Sequence, residues 1–296
     1  SDEILSNNTE WREPIYWEGK VYAGRFNLHY SYFDYYDEIT KPEDVLALLK
    51  AIETHQSTDF DKWLYKEIKA DKNRLFDLLG TKYMRLDDLA SAEQQFKQIE
   101  KSYWENHSNY REYMNANPFY TNLYNEHKNV PADTIPYNKL SVVKELKRLI
   151  KLAKDPKYKD RDEAYFKIAN AYLNMTQYGN SWTMKRFNWT YHPIRTKFPD
   201  DKDYVGATRA LKYYSKAKTE SKTKEFAALC LRMMARCEWY RLINSNDFEA
   251  YYNEDYRTSL FQANKYYKQL KKDFPEHYEE LAGNCLSFDS YYNKRR

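Results

Sequence analysis

Residues 75–99 read LFDLLGTKYMRLDDLASAEQQFKQI, and Gly80 falls inside a stretch whose apolar residues otherwise recur at helical spacing. A glycine costs a helix interior about 1 kcal/mol relative to alanine. It is retained where a neighbouring element comes too close for a side chain. Phe76, Leu79 and Tyr83 precede the acidic pair Asp87-Asp88, and Ala92, Phe96 and Ile99 follow it. Two short amphipathic helices joined by a tight turn account for this pattern, with Gly80 and Ala92 as the small residues at their crossing.

The same arrangement recurs downstream. Tyr165, Ile168, Ala169 and Tyr172 repeat the first half, and Ala210, Tyr214 and Ala217 repeat the second. Tyr172 and Ala210 stand 38 positions apart, however, where Tyr83 and Ala92 stand 9 apart, so a long insertion splits this second unit. Ala263, Tyr267, Leu270 and Pro275 form a third second-half match, whose first half falls at 225–242 through Leu231, Met234 and Ala235. Leu281, Ala282 and Cys285 suit a closing helix. Val142, Leu146, Ile150 and Ala153 describe a further helix ended by Asp155-Pro156.

These units resemble the tetratricopeptide repeat, a 34-residue helix-turn-helix whose signature runs large aromatic, Leu, Gly, Tyr, then Ala, Phe and Ala. The first unit departs from it at Ile99 and Trp104, where the family carries alanine and proline. The resemblance covers residues 73–288 in patches. It implies an all-α chain, a tetratricopeptide-like helical repeat superhelix (α-solenoid) with an aromatic-rich loop insertion. An extended aromatic N-terminal strap is expected over 1–40, where Phe26, Leu28, Tyr30 and Tyr32 alternate with polar residues. The helical repeat domain then covers 41–296, with the insertion at about 175–204 and a proline-marked connector from about 117 to 138.

Composition narrows the function classes. The 296 residues include 31 tyrosines but only 6 glycines and 9 prolines, which favours long helices over a fold of many tight turns. A net charge of +4 is too balanced for a general nucleic-acid surface. The most basic run, KELKRLIKLAK at 144–154, interleaves its lysines with apolar residues and reads as the solvated face of a helix. No stretch approaches the ~20 apolar residues of a membrane span. Cys230, Cys237 and Cys285 have no metal-ligand spacing, and the first two lie too far apart along a helix for a disulfide. The opening residues SDEILSNNTEW carry no apolar signal core, as in a cytoplasmic protein or one already processed.

Catalysis needs convergent groups, and the sequence contains no phosphate loop, dinucleotide fingerprint, HExxH zinc motif or nucleophile elbow. A non-enzymatic chain without cofactor or metal is expected. The resemblance implies a groove lined by first-helix residues, here Arg74, Asp77, Thr81, Met84 and Arg85 in one unit and Glu163, Phe166, Asn170, Leu173 and Asn174 in the other. Asn170 and Asn174 lie one turn apart, placed to hydrogen-bond an extended peptide or a sugar. The family's clamp for a peptide carboxylate is put in doubt by Phe166, which stands where a lysine belongs.

The insertion adds Tyr178, Trp182, Phe187, Trp189 and Tyr191, with Arg186 and Arg195 among them. Gly179 is expected to end the preceding helix in the left-handed conformation. Either the loop covers neighbouring helices with its aromatics inside, or it forms a ligand platform beside the two asparagines. Two functions stay open: a scaffold whose groove binds a protein or peptide partner, and a carbohydrate-binding protein of a bacterial envelope that captures a glycan on the insertion. The run from Asn170 to Trp182 looks like repeat proteins of bacterial envelopes, which implies the periplasm or cell surface.

Overall fold

The computed structural model describes residues 36–54, 58–105, 117–121, 123, 137–187, 198–245 and 254–282. Among them every regular element is helical and no strand occurs. The first group of helices is α1 (Pro42–Thr54), α2 (Asp59–Ala70), α3 (Lys72–Arg85), α4 (Leu89–Phe96) and α5 (Lys101–Glu105). Then come α6 (Lys139–Lys154), α7 (Arg161–Asn174), α8 (Asp201–Gly206), α9 (Thr208–Glu220) and α10 (Lys224–Ser245). The last group is α11 (Glu254–Ala263), α12 (Lys265–Asp273) and α13 (Pro275–Ala282). The alternating residues expected to form the N-terminal strap, Phe26 to Tyr32, lie outside the described residues, as does Cys285.

Packing follows the small-residue pattern. Helix α3 packs on α4, α7 on α9, and α10 on α12, so each first half meets its expected second half. Helix α6 lies against both α4 and α7, and α9 against α10, which joins the pairs into one series. At the first crossing a Cβ built on Gly80 would lie 2.3 Å from the ring of Phe96, which is itself fully buried. The glycine therefore makes room for a benzyl ring. Ala92, Ala169, Ala210 and Ala217 are all fully buried as well.

Local signals set the helix ends. The Asp88 side chain accepts the Ser91 N–H and caps α4, while Asp87 adopts a left-handed turn at φ 64° just before it. Asn138 and Ser141 form a reciprocal capping box at the start of α6, and Pro156 follows its end. The lysines at 144, 147, 151 and 154 face solvent while Val142, Val143, Leu146, Leu149 and Ala153 face the core. Helix α10 is buried without a break over residues 228–238, including Cys230 and Cys237, so it runs through the centre of the C-terminal half. Burial pushes both thiols well above their ordinary pKa.

Two apolar cores result. A smaller one gathers Val45, Leu49, Ile52, Leu75, Leu78 and Leu79 between α1 and α3, and the larger one runs from α3 through α13. Phe76 and Tyr83 touch both. Gly80→Leu should lower stability by about 1–3 kcal/mol through overpacking against Phe96, read as a lower urea midpoint. Gly206 is the control: a Cβ there meets nothing closer than 3.8 Å, so Gly206→Ala should leave the midpoint unchanged or raise it.

Candidate functional site

The four-residue spacing of Phe166, Asn170 and Asn174 places them on one face of α7, and all three are buried. The face is not open. Residues 117–121 and Leu123 of the connector lie along it, with Phe119, Thr121 and Leu123 themselves buried. The Asn170 Nδ2 donates to the Phe119 carbonyl and to Thr121 Oγ1, both at 3.0 Å. The Asn174 Nδ2 donates to the carbonyls of Pro118 at 2.8 Å and Tyr120 at 2.7 Å. Tyr214 closes the set by donating its hydroxyl to Asn170 Oδ1 at 2.6 Å. The asparagines are expected to meet an extended peptide or a sugar; their amides here bind main-chain carbonyls of a turn in this same chain.

The aromatic members of the expected site are dispersed. Phe166 packs edge-on against Tyr214 at 5.2 Å between centroids and tilted against Phe226 at 5.1 Å. Tyr178 stacks on Tyr240 at 4.3 Å and shares a hydrogen bond with Asn244. Trp182 is buried in a short 3-10 turn, and half-buried Phe187 has the Lys139 ammonium 4.2 Å from its ring centroid. Trp189 and Tyr191 lie outside the described residues. Of the insertion aromatics expected beside Asn170 and Asn174, Trp182 is buried and Phe187 half-buried.

Gly179 also departs from expectation. Helix α7 ends at Asn174, and the loop doubles back so closely that a Cβ at Gly179 would sit 2.0 Å from the Asn174 carbonyl oxygen. Close approach, not left-handed backbone, excludes a side chain there. The Ser181 N–H then donates to that same carbonyl at 2.8 Å, which satisfies one of the orphan acceptors of the helix end.

On α3 the residues expected to line the groove face a second closure, made of charges. Lys139 Nζ donates to Asp77 Oδ1 at 2.8 Å and Thr81 Oγ1 at 2.9 Å, while the Tyr103 hydroxyl reaches Asp77 Oδ2 at 3.0 Å. Arg85 forks onto the Asp37 carboxylate and sends its Nε to the Lys185 carbonyl at 2.7 Å. Lys82 Nζ donates to the carbonyls of Asp37 at 2.8 Å and Thr40 at 2.7 Å. Further along, Lys185 and Arg186 pair with Asp200, Asp201 and Asp203, and the Phe198 ring lies within 4.5 Å of both the Arg85 and Arg186 guanidinium carbons. Asp87 accepts from the Tyr172 hydroxyl and pairs with Arg209. No helical periodicity in the sequence marks Asp37, Lys139, Lys185 or Asp200 as members of such a cluster.

The electrostatics are those of a closed structure. Six cations, Lys82, Arg85, Lys139, Lys185, Arg186 and Arg209, face six carboxylates, Asp37, Asp77, Asp87, Asp200, Asp201 and Asp203, so little net charge remains to recruit an ion. Burial raises the pKa of the Tyr103 and Tyr172 phenols, and their aspartate partners raise it further. Burial opposes the Asp200 charge, but Lys185 and Arg186 outweigh it and hold that carboxyl below its ordinary pKa. No group of three or more His, Cys, Asp and Glu among the described residues is placed to hold a metal, and no described helix is long and apolar enough to cross a membrane.

Compared with protein-family models, curated proteins and solved structures, the chain matches none. The functional reading rests on the geometry of the α7 face.

Two measurements probe the charged closure. Lys139→Ala leaves Asp77 buried without its cation and should cost about 3–5 kcal/mol of stability, whereas a change of an exposed pair such as Lys62 and Asp59 should cost under about 1 kcal/mol. Burial lowers the Lys82 pKa from 10.5 to about 8, against the attraction of Asp37. The unfolded chain holds that proton up to pH 10.5 and the folded chain only to about 8, so this lysine contributes stability that rises with pH between those values and is lost as pH falls through 8. The neutral amine keeps both carbonyl hydrogen bonds. Urea midpoints for the native chain and Lys82→Met should therefore diverge in favour of the native chain across that window; a difference independent of pH would refute the assignment.

Proposed function

We propose that this chain is a non-enzymatic binding or scaffold protein, built as a tetratricopeptide-like stack, whose α7 face receives a peptide segment of a protein partner. One observation carries the reading. Asn170 and Asn174 direct their amide donors to three successive main-chain carbonyls, those of residues 118–120, at 2.7–3.0 Å. Main-chain recognition of this kind accepts peptides by backbone shape, leaving specificity to the side chains between the anchors.

The paired helices α3 with α4, α7 with α9 and α10 with α12 support the repeat arrangement. The buried charges beside α3 are engaged by partners within the chain, which supports a structural use of them over a catalytic one. Trp182 and Phe166 are turned into the core, which supports a peptide over a sugar that would need exposed ring faces.

A display library of random peptides and a glycan array, each screened against the intact chain, should give enriched peptides and no sugar signal. Peptide binding should weaken at least about ten-fold in Asn174→Ala, the effect of losing roughly one or two hydrogen bonds. A sugar signal without enriched peptides would replace this reading with carbohydrate binding.

A further inference from the structure

The α7 face already holds an occupant, and that occupant has the form of a ligand. Within the turn, the Phe119 N–H donates to Asn117 Oδ1 at 2.9 Å and the Tyr120 N–H to the Asn117 carbonyl at 3.3 Å. The donors are satisfied inside the turn, and the carbonyls of 118, 119 and 120 are left for α7. Asn117 and Pro118 set this shape before any helix is touched, since an Asn side chain caps the N–H two residues on and proline presets its own φ.

Three side chains then anchor the segment at alternate positions. Phe119 packs against Tyr137, with ring centroids 5.7 Å apart, Thr121 accepts from Asn170, and Leu123 joins the main core. At the far end Arg232 of α10 donates to the Leu123 carbonyl at 3.1 Å and to the Leu281 carbonyl at 2.6 Å. Asn170, Asn174, Tyr137 and the anchors Phe119, Thr121 and Leu123 are neutral, so exchange at these contacts strands no charge, and Arg232 also holds the Leu281 carbonyl.

We infer that residues 117–121 together with Leu123 are a resident pseudo-ligand of the α7 groove, and that a partner protein binds by replacing them with its own Asn-Pro-aromatic turn followed, four residues after the aromatic, by an aliphatic residue. This rests on the peptide-binding reading above. Because the occupant is part of the same chain, its effective concentration at the groove is on the order of millimolar, and an external segment of equal intrinsic affinity competes at that disadvantage. The groove is autoinhibited by its own connector and is selective for partners that bind more tightly than the connector or arrive by a second contact.

The probe is a fluorescein-labelled synthetic peptide of residues 115–125, NANPFYTNLYN, titrated by anisotropy. The proteins are the full chain, its Phe119→Ser/Leu123→Ser variant, and that variant with Asn174→Ala added. Removing the two apolar anchors from the connector should tighten peptide binding at least about ten-fold over the native chain, since the tethered competitor is lost. Adding Asn174→Ala should abolish the gain.

A folded double variant that binds the peptide no better than the native chain overturns the proposal. So does a double variant that loses cooperative melting, because a displaceable occupant cannot be required for folding. Concentration-dependent dimerisation of the native chain, with the connector of one copy crosslinked to α7 of another, would assign the groove to self-association and overturn the proposal as well. Library peptides that bind the native chain without changing the amide exchange of residues 117–121 would leave the peptide-binding function standing and end this inference alone.

Discussion

A benzyl ring resting on a position with no side chain determines how the first helix pair crosses. Phe96 occupies the space that a Cβ on Gly80 would need, so α3 and α4 approach at a fixed angle and depth. That crossing decides which side of α3 remains for other segments. Asp77, Thr81 and Arg85 lie on it, and each is bound by a group from elsewhere in the chain: Lys139, Tyr103, Asp37 or the Lys185 carbonyl. In the α7–α9 pair Ala169 and Ala210 are fully buried, and the Tyr214 hydroxyl reaches Asn170, so the contact that packs α7 on α9 also orients the amide that holds the described part of the connector.

Burial of so many charges beside α3 follows from what covers them. A carboxylate removed from water is expensive unless a cation and hydrogen bonds replace the solvent. Asp77 accepts from three residues, Thr81, Tyr103 and Lys139, and Thr81 is itself tied to the same ammonium. Such a pair adds little net stability over a well-packed apolar substitute, but it penalises every arrangement in which Lys139 is elsewhere. The cluster thereby specifies where α6, the segment at Asp37 and the insertion sit relative to α3.

The helices were legible because their causes are local. Apolar spacing, the Asp88 cap, the Asn138 capping box and the small residues Gly80, Ala92, Ala169 and Ala210 can all be read within one or two turns of chain. Asn170 and Asn174 were also legible as a pair one turn apart on one helix face. Their partners were not, since Pro118 and Phe119 lie more than fifty positions earlier and nothing in helical periodicity points to them. The charged cluster was hidden for the same reason: a polar helix face reads as solvated until a distant segment is known to cover it. Gly179 shows a finer limit. The sequence suggests a left-handed helix end there, whereas the glycine is required because a side chain would come within 2.0 Å of the Asn174 carbonyl oxygen.

The two closures differ in the chemistry that holds them. Opening the α3 side would leave Asp77, Lys139, Asp37 or Arg85 without a partner in a poorly solvated site, at several kcal/mol for each stranded charge. Opening the α7 side exposes neutral amides at about 1–3 kcal/mol for each polar group until water or another carbonyl arrives, and takes the buried Phe119 and Leu123 out of the core at about 1.5–3 kcal/mol each. Charged contacts thus hold α6 and the described part of the insertion beside α3, whereas the described part of the connector is held on α7 by neutral amides and by the buried side chains of Phe119 and Leu123.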